Sequence, residues 1–134
     1  MLSHELKIRV RYAEVDRMGY LHHGNYAAYF EAGRTELLRE LGLSYRQMED
    51  DGVILPVREL KIRYFDPILY DEEVIVRTIV RQMPAVKLEF DYEIENKFGN
   101  RCCEAKAVLV FVDATKRKPI KAPEYFLKLV RPFF

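Results

Sequence analysis

The 134 residues carry 22 basic and 21 acidic side chains for a formal charge of +1, so no overall field draws the chain to nucleic acid or to an anionic membrane. With 49% hydrophobic and 32% charged residues the composition is that of a soluble globular protein rather than a disordered one, and the length suits a single domain over residues 1–134. The N-terminus, MLSHELKIRVRY, lacks an apolar leader core and the longest apolar run, Ala107 to Val112, is far short of a membrane span, which points to a cytoplasmic protein without an integral membrane segment.

Leu6, Ile8, Val10 and Tyr12 alternate with Lys7, Arg9 and Arg11, the period of a strand with one covered face. The strand leads into a polar loop that holds Asp16, Gly19, His22, His23 and Gly24. A helix follows. Tyr26, Phe30, Gly33, Leu37 and Leu41 recur at steps of three and four, Asn25 stands where an N-cap belongs, and Gly42 is placed to stop the helix. Leu43 to Gly52 reads as a polar connection with a short helical piece at Tyr45 to Asp50. Val53 to Asp66 predicts one long strand, its beginning made irregular by Pro56.

Asp71 to Met83 predicts a third strand, and Pro84-Ala85 a turn. Val86, Leu88, Phe90, Tyr92 and Ile94 alternate with charged residues in a fourth strand, Lys97 to Asn100 makes a hairpin connection, and Arg101 to Asp113 returns as the fifth. Cys102 and Cys103 would point to opposite faces of that strand and read as small buried side chains rather than as a disulfide. The tail sets Lys116, Arg117, Lys118, Lys121, Lys128 and Arg131 against Asp113 and Glu124. It reads either as a solvated end with a turn of helix at Pro123 to Val130 or as a contact for phosphate. One helix followed by strands with short links is an α+β order and implies an antiparallel meander. A single long helix cannot cover both faces of such a sheet, so an open surface calls for a second copy of the chain.

The loop before the helix is where chemistry gathers. A helix start presents unpaired N–H groups and partial positive charge, suited to an anion or to an oxygen that gains charge during a reaction. Asp16 could serve there as base or nucleophile, or could be a turn-forming Asp that bonds local backbone. His22 reads as a surface residue. Gly19 and Gly24 suit tight backbone geometry. The chain has no G-x-S-x-G elbow, no GxGxxG or P-loop, and no HExxH or CxxC, and adjacent histidines are poorly spaced as metal ligands.

Taken together, Tyr12, Asp16, Gly19, His23, Asn25 and Tyr26 follow the pattern Tyr-x-x-x-Asp-x-x-Gly-x-x-x-His-x-Asn-Tyr, and Phe30, Glu31 and Arg34 follow Phe-Glu-x-x-Arg. With Pro56-Val57-Arg58, Tyr64, Pro67 and Asp71 the chain resembles the 4-hydroxybenzoyl-CoA thioesterase branch of the hot-dog superfamily, above all its Tol-Pal-associated acyl-CoA thioesterases. The resemblance implies an α+β hot-dog fold, with an antiparallel five-stranded sheet curled around one long central helix. It implies hydrolysis of an acyl-CoA to a carboxylic acid and CoA with no metal and no cofactor, in a homodimer with sites at the subunit boundary and often a homotetramer.

On this resemblance Asp16 attacks the thioester carbonyl or activates water, the backbone N–H of His23 or Gly24 binds the carbonyl oxygen, and the His23 imidazole positions water or the carboxylate. Tyr12 stands near the carboxylate, or is a core aromatic on the first strand. Tyr26 lies against the substrate, Val57 and Arg58 reach the partner's site, and Glu31 is structural, paired with Arg34 or a strand residue. Arg58, Arg63, Arg81, Lys87 and the tail are the cations available to CoA phosphates. An acyl carrier protein or aryl-CoA thioesterase, or an acyl-CoA-binding module without turnover, are the alternatives.

Overall fold

A computed structural model describes residues 1–134. In chain order the elements are β1 (Leu2–Arg9), α1 (Tyr26–Glu40), α2 (Tyr45–Asp50), β2 (Val53–Ile54), β3 (Val57–Tyr64), β4 (Glu73–Val80), β5 (Lys87–Glu95), β6 (Arg101–Val110), β7 (Val112–Asp113), β8 (Lys118–Pro119) and α3 (Glu124–Val130). Five strands make one antiparallel sheet in the order β1-β4-β5-β6-β3. Only β4, β5 and β6 run as a meander, because β3 lies at the far edge and the chain crosses from it back to β4. No helix is long and apolar enough to cross a membrane.

The alternation read in the sequence is the burial pattern of the sheet: Leu88, Phe90, Tyr92 and Ile94 of β5 are fully buried while Lys87 and Glu89 are exposed. α1 lies on this inner face. Phe30 has no exposed surface and stacks on Tyr92 with ring centroids 4.6 Å apart. Burying a side chain of this size contributes about 1.5–3 kcal/mol. Gly33 lets the helix settle onto β4, since a Cβ at that position would stand 2.5 Å from Thr78 Oγ1 and 3.1 Å from Val76 Cγ1. α1 therefore rides over the β1–β4–β5 part of the sheet, and the short helices α2 and α3 add buried Met48, Phe126 and Val130 to the same core.

Four local expectations need correction. The predicted strand from Val53 to Asp66 is broken at Pro56, which has no N–H to donate, and Val53–Ile54 instead pairs with β7 in a small sheet β2-β7-β8. The fifth strand likewise ends at Val110, because the Phe111 N–H donates to Val86 O and its carbonyl accepts from Ile120. The tail carries the expected helix, α3, and its basic side chains are exposed, but the helix is docked rather than free, with Phe126 edge-on to Phe111 at 5.1 Å. Glu31 is exposed and forms no ion pair with Arg34. The buried Arg34 donates from Nε to Tyr45 OH (3.1 Å) and from Nη1 to Tyr92 OH (3.5 Å), a cation satisfied by two phenols. Cys102 and Cys103 are free thiols, both fully buried.

Candidate active site

The loop between β1 and α1 is built by side chains that close it on itself. Glu14 is its hub. Glu14 Oε1 accepts the Arg11 N–H (2.8 Å) and the Tyr29 hydroxyl (2.9 Å), while Oε2 takes the Arg11 guanidinium (3.1 Å). The Glu14 carbonyl accepts the His22 N–H (2.9 Å) and the Asn25 side-chain amide (2.8 Å), so the two ends of the loop are tied to α1. Burial pushes the Glu14 carboxyl up, but its hydrogen bonds from Arg11 and Tyr29 outweigh that and hold it below the usual carboxylate range.

Asn25 accordingly does not cap α1 through its side chain; a single 3-10 turn, His23–Asn25, precedes the helix. His22 caps that turn, its Nδ1 accepting the Gly24 N–H at 3.0 Å. The Gly24 donor is thereby used, whereas the His23 N–H donates to no group of the chain. The His23 ring is exposed and leans on His22 with centroids 4.3 Å apart.

Asp16 stands at the base of a tight turn. Its Oδ1 accepts the N–H groups of Met18 (2.8 Å) and Tyr20 (3.2 Å), and Gly19 returns the chain with φ +81°, a conformation glycine adopts without strain. The turn-forming role of Asp16 is therefore real, and it leaves Oδ2 without a hydrogen-bond partner in the protein. The loop is stapled to the segment after β3: Leu21 N–H donates to Ile68 O (2.7 Å), Tyr70 N–H to Gly19 O (3.3 Å), and Tyr20 bridges Leu69.

These bonds enclose a hollow of about 300 Å³ in which Asp16, His23 and Tyr26 come together. Tyr26 forms its buried wall and meets Tyr64 edge-on at 4.8 Å. Burial, then Cys103, Tyr64, Cys102 and Asp16, push the Tyr26 hydroxyl above its ordinary value, so it is a neutral phenol. Met18, Tyr20, Phe65 and Asp66 also line the hollow, and sequence reasoning assigned none of them to the site. Phe65 and Asp66 lie more than forty residues from Asp16 in the chain and reach it through a staple made of backbone, which leaves no side-chain signature.

The remaining candidates lie elsewhere. Tyr12 is not a core residue of β1: it sits in a 3-10 turn, 79% exposed, edge-on to Tyr70 at 5.5 Å. It shares with Asp16, Arg17 and Tyr70 a second hollow. Gly24, Val57 and Arg58 do not line the hollow with Asp16, and Val57 and Arg58 are exposed at the start of the edge strand whose far end carries Tyr64. Among the basic candidates, Arg63 pairs with Glu104 (3.9 Å) and Arg81 with Asp91 (2.7 Å), whereas Arg58 and Lys87 are exposed with no ion pair. No group of three or more His, Cys, Asp or Glu side chains is arranged to hold a metal ion.

Comparison with known proteins gives this geometry a family. The model of the thioesterase-like superfamily matches residues 10–130. The Bacillus subtilis protein YneP is 38% identical over 120 residues, 90% of this chain and 87% of its own. The acyl-CoA thioester hydrolase YbgC of Escherichia coli is 31% identical over 117 residues, covering 87% of each chain. Among solved structures, the DHNA-CoA thioesterase of Staphylococcus aureus superposes with a TM-score of 0.91 at 35% identity, over 99% of this chain and 89% of that one. By its match over most of its length, the chain belongs to the thioesterase-like superfamily, whose hot-dog fold its sheet and helix share.

Proposed function

We propose that this member of the superfamily is an acyl-CoA thioesterase in which Asp16 and the entrance of α1 act on the thioester carbonyl from one hollow. The observation that supports the reading is that Asp16, one of whose carboxylate oxygens is unbonded, His23, whose N–H has no partner in the chain, and apolar side chains line one hollow. Asp16, as nucleophile or as base for a water, drives formation of the new C–O bond. The carbonyl oxygen takes up negative charge against the His23 N–H, a donor whose loss in comparable sites costs on the order of 2.7–4 kcal/mol. The C–S bond then breaks and the thiolate takes a proton to leave as CoA; by the base route the carboxylic acid is released with it, and by the nucleophile route the mixed anhydride on Asp16 is hydrolysed by a water, which releases the acid and restores the carboxylate. Gly24 is the weaker choice of donor because His22 already holds its N–H. The exposed His23 imidazole has the role of positioning water in this reading.

In this reading Tyr26, in the wall of the hollow, serves the acyl group, and Tyr12, which shares a second hollow with Asp16, serves the thiol side. Val57 and Arg58 serve the site of a partner subunit. The edge strand β3 carries Val57 and Tyr64 about half exposed, and a second copy covering it gives a homodimer, with a homotetramer as the further assembly. We place the enzyme in the cytoplasm and nearest the 4-hydroxybenzoyl-CoA and Tol-Pal-associated branch, on the motif from Tyr12 to Arg34. A second reading, an aryl-CoA substrate, is favoured by the rings of Tyr20, Tyr26, Tyr64 and Phe65 around the hollow.

Thiol release from aliphatic, aromatic and acyl carrier protein thioesters tests both readings together. Turnover of CoA esters well above the carrier-protein esters is the expected result, with the aromatic arm deciding between acyl classes. Tight acyl-CoA binding by calorimetry without thiol release would instead make the chain a binding module.

A further inference from the structure

The hollow beside Asp16 contains a second carboxylate that hydrolysis does not require. Asp66 is fixed by its backbone: its N–H and that of Phe65 both donate to Cys102 O, at 3.1 and 2.8 Å, pinning the segment to β6. Its side chain has no hydrogen bond and no ion pair, in a protein whose other acidic residues are often held by arginine, as Glu5, Glu93 and Glu95 are by Arg77. No lysine or arginine lines this hollow.

Two formal negative charges, an apolar and aromatic wall and no cation make a poor seat for the phosphates of CoA. They suit the acyl end of the substrate. A neutral acyl group meets apolar surface, and one with a hydroxyl can also donate to the Asp66 carboxylate. An acyl group ending in its own carboxylate would be held beside two anions in a hollow open to solvent, where like charges repel and salt weakens the repulsion.

We propose that Asp66 is a specificity-determining residue that admits uncharged or hydroxylated acyl groups and turns away acyl groups carrying a second carboxylate. The proposal rests on the acyl-CoA reading above. The same charge acts on the product: the reaction converts a neutral thioester into a carboxylate inside an anionic hollow, which favours its release.

The test uses the full chain and a matched pair of substrates, pentanoyl-CoA and glutaryl-CoA, of equal chain length and differing in terminal charge. The quantity read is the ratio of their kcat/KM values for wild type, Asp66→Asn and Asp66→Lys, at low and at high salt. Wild type prefers pentanoyl-CoA by about tenfold or more, Asp66→Asn narrows the ratio by about fivefold and Asp66→Lys narrows it further, an ordering that follows the charge. High salt narrows the wild-type ratio and has less effect on Asp66→Asn. A ratio unchanged in both variants overturns the role of Asp66 while leaving hydrolysis standing. If no thioester is turned over, the hydrolysis reading fails. The affinities of the two CoA esters, measured by calorimetry on the same three proteins, then decide the charge rule by the same ratio.

Discussion

The close approach of α1 to β4 allows a stability prediction worked from two distances. In Gly33→Ala the new methyl would lie 2.5 Å from Thr78 Oγ1 and 3.1 Å from Val76 Cγ1, so the helix has to lift or both strand side chains have to move. Overpacking of this kind costs about 1–3 kcal/mol, while replacing a helical glycine by alanine returns about 0.8–1.0 kcal/mol, for a net loss of about 0–2 kcal/mol. Thr78 Oγ1 is buried and has no hydrogen-bond partner, so removing it forfeits no bond. In a Thr78→Ala background the nearest Thr78 atom left is Cβ at 3.9 Å, ordinary contact, and only the 3.1 Å approach to Val76 Cγ1 remains to be relieved, so Gly33→Ala should there be close to neutral. The expected coupling between the two sites is therefore about 1 kcal/mol. Urea unfolding followed by circular dichroism at one fixed protein concentration measures it for the four proteins of the cycle. An equal cost of Gly33→Ala in both backgrounds, within about 0.5 kcal/mol, would refute the close-packing account.

Three further expectations concern the scaffold of the site. Because the folded Glu14 carboxyl is held below its ordinary value of 4.5, its contribution to stability is full above that pH and is lost as pH falls through the depressed value. The stability difference between wild type and Glu14→Gln should accordingly be constant near neutrality and shrink in acid, and a difference that grows on acidification would contradict it. Asn25→Asp separates a cap from a tie. A cap would accept the exchange, whereas a side chain that donates to Glu14 O should lose about 1–3 kcal/mol on becoming a carboxylate, read by thermal or urea unfolding. Tyr45→Phe removes one of the two phenols that satisfy the buried Arg34 and should cost about 1.5–3 kcal/mol, and an unchanged midpoint in urea would show that the bond contributes nothing.

What could be read in the sequence follows the range of the interactions. The period of β5 and the stripe of α1 are set by burial on one face, and both appear in the structure at the expected residues except Val86, which is exposed before β5, and Leu41, which is partly buried at the C-cap of α1. Asp16, His23 and Tyr26 are close in the chain and meet in one hollow. Asn25 stands at the N-cap position as expected but makes no capping bond, because the identity of a residue before a helix does not reveal whether its amide bonds the next turn or a carbonyl eleven positions back. Glu14 was missed for the same reason, since its importance lies in Tyr29 and Arg11 converging on it. The breaks at Pro56 and Phe111 depend on which strand pairs with which, information that a period-two pattern does not contain. Asp66 reaches the site only because β3 turns back against the loop holding Asp16.

The sharpest test of the central claim is thiol release from an acyl-CoA by Asp16→Asn. The substituted side chain keeps an oxygen to accept the N–H groups of Met18 and Tyr20, so the loop and the spectrum of the folded protein should be unchanged. Loss of the ionised oxygen should lower the rate by at least about a hundredfold. A variant that folds normally and still releases CoA at close to the wild-type rate would show that Asp16 does not carry the reaction.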